Sequence, residues 1–278
     1  MALLQSAYPK EMNRGPRPLH NRQCLALCAP SASEGSFVTE LPFHRLHSFT
    51  NPTPFELSAF EGIAEQTLTF GRKQTIRAQG EPVNEVYFLA EGWVACSMGV
   101  LNGRRQIVSV SLAGDLLGVP SVCLTRAAVT FETLTPAVVQ VISLEAFAGL
   151  FMKLPRLSLS LFLVSQQERV RLMERLASVG QTKAVQRIAA FLLHIYERLQ
   201  QIAPVEDYSF ELPLTQAELA EIVGLTFVHV NRSLRELDRR GFIQRSGKRV
   251  TLANVDGLRE LAGLPEHQFI KEPAWLAR

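Results

Sequence analysis

Residues Leu214 to Leu237 read LTQAELAEIVGLTFVHVNRSLREL, two short helical patterns joined at a single glycine. Thr215 stands three residues before Glu218, the spacing of a capping box. There the threonine hydroxyl accepts from the Glu218 backbone N–H and the carboxylate reaches back to the cap. Leu219, Ile222 and Val223 then share one face of the first helix. Gly224 falls where a helix C-terminus needs a left-handed residue, and Thr226 is placed to cap the next helix. In that second helix Val230, Leu234 and Leu237 form the buried stripe, which turns Val228, His229, Asn231, Arg232 and Arg235 elsewhere. The tight break predicts a helix-turn-helix, whose second helix enters the DNA major groove. An isolated match of this kind also suits an ordinary helical hairpin with a solvated polar face.

The flanking residues decide between the two. From Arg232 to Arg249 the charges are Arg232, Arg235, Arg239, Arg240, Arg245, Lys248 and Arg249 against only Glu236 and Asp238. The stretch before it, Glu197 to Glu221, is mainly acidic. After Gly241, Phe242-Ile243-Gln244-Arg245 and Arg249-Val250-Thr251-Leu252 flank Ser246-Gly247-Lys248, a short hairpin with a basic tip. A basic wing beside a capped reading helix is what attachment to phosphates requires. The expected DNA contacts are therefore Thr215, Thr226, Val228, His229, Asn231, Arg232, Arg235, Arg245 and Lys248, with double-stranded DNA as partner.

Working outward, 278 residues leave room for two domains, and 47% hydrophobic residues suffices for packed cores. A net charge of +3 is too small for a general polycation, so the local basic patch carries the argument. Four cysteines, Cys24, Cys28, Cys96 and Cys123, make no dense disulfide framework, and no signal peptide is evident at the start. The most apolar stretch, near Leu157 to Val164, is interrupted by serines and falls short of a membrane span, so the expectation is a cytoplasmic protein without a membrane partner. Residues 1–45 are rich in Pro, Ser and Arg without a period and read as a mobile arm. From Thr50 to Gln66 a helical pattern places Phe55, Leu57, Phe60 and Ile63 as its apolar positions.

Between Leu68 and Ile142 short apolar runs, Val86–Leu89, Trp93–Cys96, Gln106–Val110 and Val138–Ile142, are punctuated by glycines at 71, 80, 92, 103, 114 and 118. That spacing predicts an antiparallel barrel or jelly roll over 46–154. A long helix follows Pro155, with Leu159, Leu163, Gln166, Val170, Met173 and Ala177 in alternating steps of four and three, the pattern of a dimerisation seam. The same spacing suits a helix lying on its own barrel. Gly180 marks a hinge closing the 155–180 segment. Lys183 to Leu199 carries Val185, Ile188, Ala189, Leu192 and Ile195 into the core of a second domain, 181–262, before a tail at 263–278.

Taken in order, arm, β-roll, seam helix, hinge, helix-turn-helix and wing resemble the CRP/FNR superfamily of bacterial transcription regulators over roughly residues 50 to 262. The most specific matches are Gly92, Gly114-Asp115-Leu116-Leu117-Gly118 and Leu225 to Leu234, the last resembling a subgroup whose reading helix carries Val-His-Val-Asn-Arg. The resemblance implies an α+β chain: a cyclic-nucleotide-binding-like jelly roll, a long dimerisation helix and a C-terminal winged helix-turn-helix. It also implies a homodimer on a near-palindromic promoter site, RNA polymerase as a further partner, and a signal sensed by the roll.

The cofactor is unknown from sequence. Cyclic-nucleotide binders of the family place an acidic ribose ligand after the Gly118 position and later an Arg-Ser/Thr pair at the phosphate; here Val119-Pro120-Ser121 and Arg126-Ala127-Ala128 stand instead, against cyclic AMP. An iron–sulfur or redox sensor is the alternative, with Cys24, Cys28 and Cys123 as metal candidates and His20 nearby, although the family's cysteine spacing is not matched. Cys96, inside an expected strand, reads as a small buried hydrophobe. No histidine lies between His47 and His194, which argues against haem and against a cupin-type metalloenzyme, so no catalytic residues are assigned. A ligand-binding module acting only through protein partners remains a further alternative.

Overall fold

The computed structural model describes residues 41–99, 105–263 and 270–273. A 3-10 turn over Phe43–Ser48 and helix α1 (Pro54–Glu61) lead into the strands β1 (Gln66–Phe70), β2 (Thr75–Arg77), β3 (Glu85–Glu91), β4 (Trp93–Gly99), β5 (Arg105–Leu112), β6 (Leu116–Leu117), β7 (Thr130–Thr133) and β8 (Ala137–Ser143). Two four-stranded antiparallel sheets, ordered β1-β8-β3-β6 and β2-β7-β4-β5, face one another as the roll. In β3 the run Val86-Tyr87-Phe88-Leu89 is buried without alternation. Tyr87 and Leu89 fill the roll interior with Leu117, Val129, Phe131 and Val139, while Val86 and Phe88 pack outward under helices. A strand covered on both faces has no solvent side, hence no polar alternation. Gly92 (φ 94°) makes the β3–β4 turn, where a Cβ would lie 2.4 Å from the Pro136 carbonyl oxygen.

Helix α2 (Leu144–Lys153), capped by Ser143, and helix α3 (Pro155–Gln181) follow. The inward face of α3 buries Leu157, Ser160, Leu161 and Gln167. Its outward face carries Phe162, Leu172, Met173, Leu176 and Val179, all exposed in the single chain. Among the expected seam positions Met173 and Ala177 are exposed, whereas Leu159, Leu163, Gln166 and Val170 are partly covered.

Several boundaries move. Arg45 and Leu46 are buried in the 3-10 turn, so the folded body starts before the arm was expected to end. Phe55, expected as an apolar contact of α1, is 74% exposed; Phe60 takes the buried position. The break expected at Gly180 falls two residues later. α3 runs through it to Gln181, and the break comes at Thr182 (φ −108°, ψ 151°) and Lys183, where the chain turns extended before α4 (Ala184–Ile202). A glycine inside a helix costs about 1 kcal/mol against alanine, too little to end a 27-residue helix.

The C-terminal part comprises α4, β9 (Ser209–Glu211), α5 (Gln216–Val223), α6 (Phe227–Arg239), β10 (Ile243–Ser246), β11 (Arg249–Leu252) and α7 (Val255–Ala262). Strands pair as β10-β11-β9, so the two-stranded wing gains a third strand from the α4–α5 connection. Val185, Ile188, Ala189, Leu192 and Ile195 are buried as their spacing predicts. They share one apolar cluster with Ala95, Ile107, Val110, Leu112 and Leu134 of the roll. The described residues form one compact unit, within which the outer face of the β4/β5 sheet is the floor beneath α4 and α5.

Candidate nucleic-acid interface

The helix-turn-helix is built as its sequence dictates. Thr215 Oγ1 accepts from Glu218 N at 3.1 Å and the Glu218 carboxylate accepts from Thr215 N at 2.6 Å, completing the capping box of α5. Gly224 ends α5 in the left-handed region (φ 66°, ψ 41°), a conformation costly for residues with a Cβ. Thr226 caps α6, its hydroxyl accepting from His229 N and lying 2.9 Å from His229 Nδ1. Val230, Ser233, Leu234 and Leu237 are buried. Phe227, Val228, His229, Arg232, Arg235 and Arg239 are left exposed on the face away from the core.

Besides the capping threonines and His229, two further expected contacts are already engaged within the chain. Asn231 Nδ2 donates to Gln216 Oε1 at 3.2 Å and is partly covered, tying α6 to α5 rather than standing free. Arg245 of β10 bonds Asp238 of α6 through Nε at 2.8 Å and Nη2 at 2.5 Å, which fixes the wing against the reading helix. Lys248 and Arg249 remain exposed at the wing tip. Val228 is 71% exposed at the first turn of α6, and beside it Phe227 is an outward apolar group that spacing alone did not single out.

The reader is also gripped by the roll. Arg72 Nη2 holds both Glu218 oxygens at 3.1 and 3.0 Å. Burial alone would raise the Glu218 pKa, but the bonds from Thr215 and Arg72 outweigh it and keep the carboxyl below its usual range. Arg105 of β5 bonds Glu221 at 2.9 Å and Glu132 at 2.8 Å, and Gln106 donates to the Glu221 carbonyl. The capping glutamate of the first reader helix therefore serves two elements at once.

A second connection is buried. Asp115, in the Gly114–Gly118 turn, accepts from Arg198 of α4 at 2.8 and 2.6 Å and lies 3.2 Å from Arg45 Nε. Arg45 extends to Gln167 at 2.8 Å and Glu168 at 2.5 Å on α3, and Arg171 joins Glu168 at 3.1 Å. Burial opposes ionisation of Glu168, yet Arg45, Arg198 and Arg171 hold its pKa down. Burial first, then the surrounding arginines 171, 198, 175 and 45, push His194 well below 6.5. Burial likewise lowers His44 to about 4, against the opposing pull of Asp115. One cluster thus joins the 3-10 turn, the roll, α3 and α4.

On the sensor side Arg126 faces outward, Nη1 donating to the Gly80 carbonyl at 2.8 Å. Val119, Pro120 and Ser121 form a 3-10 turn after Gly118. Cys96 lies in β4, where burial raises its thiol to about 11; Cys123 is exposed. Among the described residues no group of three His, Cys, Asp or Glu side chains gathers to hold a metal. His20, Cys24 and Cys28 lie outside the described residues. No single described helix is long and apolar enough to cross a membrane.

This architecture has relatives. Residues 186–261 match the Crp-like helix-turn-helix domain, and residues 67–153 match the cyclic nucleotide-binding domain. The fumarate and nitrate reduction regulatory protein of Escherichia coli K12 is 26% identical over 210 residues, 75% of this chain and 83% of that protein. The transcriptional regulatory protein btr of Bordetella pertussis is 25% identical over 208 residues, 75% of this chain and 86% of that protein. Among solved structures, FixK2 from Bradyrhizobium japonicum aligns at TM-score 0.65 with 23% identity, covering 72% of this chain and 98% of FixK2. The regulator CLP of Xanthomonas campestris aligns at 0.60 with 18% identity, over 73% and 100%. A capped reading helix and a basic wing in a Crp-like helix-turn-helix domain, following a cyclic nucleotide-binding roll, make the chain a DNA-binding transcription regulator of the CRP/FNR type.

Proposed function

We propose that the protein acts as a homodimer on a near-palindromic promoter site, with α6 of each protomer in successive major grooves and α3 as the seam. The observation that carries this is the pair of unpartnered faces on one chain: the exposed apolar row Phe162, Met173 and Leu176 on α3, and the exposed Val228, His229, Arg232 and Arg235 on α6. A long helix with a row of outward apolar residues gains stability by pairing with its symmetry mate. A polar, basic helix face beside a wing gains by meeting phosphates and base edges.

Arg232 is the direct reader, its guanidinium suited to O6 and N7 of guanine. Val228 suits a thymine methyl, and His229 donates to a base or phosphate. Lys248, with Arg249 beside it, attaches the wing to phosphates, Thr215 and Thr226 present the N-terminal ends of the two helices, and Asn231 aligns the helices. The roll receives a signal other than cyclic AMP, because Val119 stands where the resemblance expects the acidic ribose ligand and Ala127, without a hydroxyl, follows Arg126. The protein is not an enzyme; it works in the cytoplasm and passes its signal to RNA polymerase. Fluorescence anisotropy on promoter fragments, combined with sedimentation of the free protein, tests the reading. The expected result is a dimer binding a two-half-site duplex far more tightly than a single half-site. A monomer, or a dimer indifferent to half-site spacing, would contradict it.

A further inference from the structure

Inside the roll, Arg77 of β2 is a cation with half of its donor edge unused. The residue is 3% exposed. Nη1 donates to the Glu85 carbonyl at 2.9 Å, while Nε and Nη2 are buried with no hydrogen-bond partner among the described residues. The Glu85 carboxylate accepts instead from the Tyr87 hydroxyl. The Tyr87 and Phe131 rings stand 5.5 and 5.4 Å from the guanidinium carbon. Their faces recover part of the cost of removing the charge from water but supply no counter-charge. Gly118 (φ 95°) lies beside the Nη1/Nη2 end of the guanidinium, where an added Cβ would come within 2.8 Å of Nη2 and 3.5 Å of Nη1, and so leaves the Nε/Nη2 side uncovered by its own backbone.

Nε and Nη2 form the side-on fork of a guanidinium, the edge that matches two coplanar oxygens. We propose that Arg77 anchors a small organic carboxylate inside the roll. One guanidinium neutralises one negative charge, so a carboxylate fits where inorganic phosphate would bring excess charge among Tyr87, Leu117, Val129 and Phe131. This site lies apart from outward-facing Arg126, the position that resembles the phosphate-binding pair of nucleotide-binding relatives. It also has an outlet. Gly118 follows the two-residue strand β6, and Asp115, which precedes that strand, grips Arg198 of α4, so occupation of the fork bears on the connection to the reader. The proposal rests on the roll being the sensor of a regulator.

The test is the melting of full-length protein in sodium acetate, sodium benzoate, sodium phosphate and sodium chloride at equal ionic strength. Wild type is expected to gain about 5 °C or more from a carboxylate at a hundredfold excess over its Kd, and nothing specific from phosphate. Arg77→Met keeps the stem and removes the charge; it should lose the carboxylate shift and melt no lower than unliganded wild type. Arg77→Lys keeps the charge without the fork and should bind the carboxylate at least roughly tenfold more weakly. No carboxylate shift in wild type, an equal shift with phosphate, or a shift undiminished in either variant would overturn the proposal. Melting is read without DNA, so failure of wild type to bind promoter fragments would count against the regulator reading alone.

Discussion

Replacing Asp115 by Asn should be among the most damaging single changes in the chain. The carboxylate meets Arg198 at 2.6 and 2.8 Å and Arg45 at 3.2 Å, and both arginines are 2% exposed in their side chains. It also accepts from Leu112 N at 2.9 Å. Asparagine preserves the shape but removes the charge, leaving two buried guanidinium groups with only Glu168, a partly exposed carboxylate, between them. Removing one partner of a buried pair costs about 3–5 kcal/mol, and two arginines facing one aspartate put this case in the upper half. For a folded body of this size that is a fall in Tm of roughly 10–20 °C. Urea unfolding of wild type, Asp115→Asn, Arg198→Met and the double variant measures it. The double variant should lose less than the sum of the singles by at least about 1 kcal/mol, because the second change removes a charge that the first has orphaned. A loss below about 1 kcal/mol for Asp115→Asn, or strict additivity, would mean that water reaches the cluster and the buried-network reasoning is wrong.

Other outcomes follow from the same geometry. Arg232→Ala should cost about 1–3 kcal/mol on cognate DNA and relax preference at one guanine per half-site, whereas Lys248→Ala should weaken cognate and scrambled duplexes alike and lower the salt slope by about 1; equal losses on both duplexes for Arg232→Ala would make it a phosphate clamp. Leu176→Glu, at a site 76% exposed in the single chain, should shift sedimentation toward monomer by setting like charges against each other across the seam, and an unchanged dimer would remove α3 as the interface. Acid should destabilise the fold from neutral pH downward. His44 and His194 are neutral when folded but take protons when unfolded below about 6.5, so stability is lost as pH falls from 6.5 toward 4. The Glu168 contribution is lost lower still, through its depressed folded pKa. Urea midpoints at pH 7.5, 6 and 5 should fall in that order, and His194→Gln should flatten the series; a level series in wild type would contradict the assignment.

Local chemistry determined much of this protein without any knowledge of its contacts. The capping box at Thr215 and Glu218, the left-handed Gly224, the cap at Thr226 and the stripe of Val230, Leu234 and Leu237 all appear as their spacing requires, because caps and helical periodicity are satisfied within a few residues. The strands β3, β4, β5 and β8 and the start of α3 at Pro155 were legible for the same reason. What depends on residues far apart was not. Gly180 has the composition of a hinge, yet the preceding helix carries through it and the turn falls at Thr182. Asn231 and Arg245 have the chemistry of DNA contacts, but Gln216 and Asp238 already hold them. Nothing in Arg72, Arg105 or Arg198 announces a partner at Glu218, Glu221 or Asp115. An exposed arginine and an interdomain arginine look alike until the chain folds, because ion pairing depends on distance in space and burial decides its strength. The kind of molecule was thus written in short-range pattern, and the way its sensor grips its reader in tertiary structure alone.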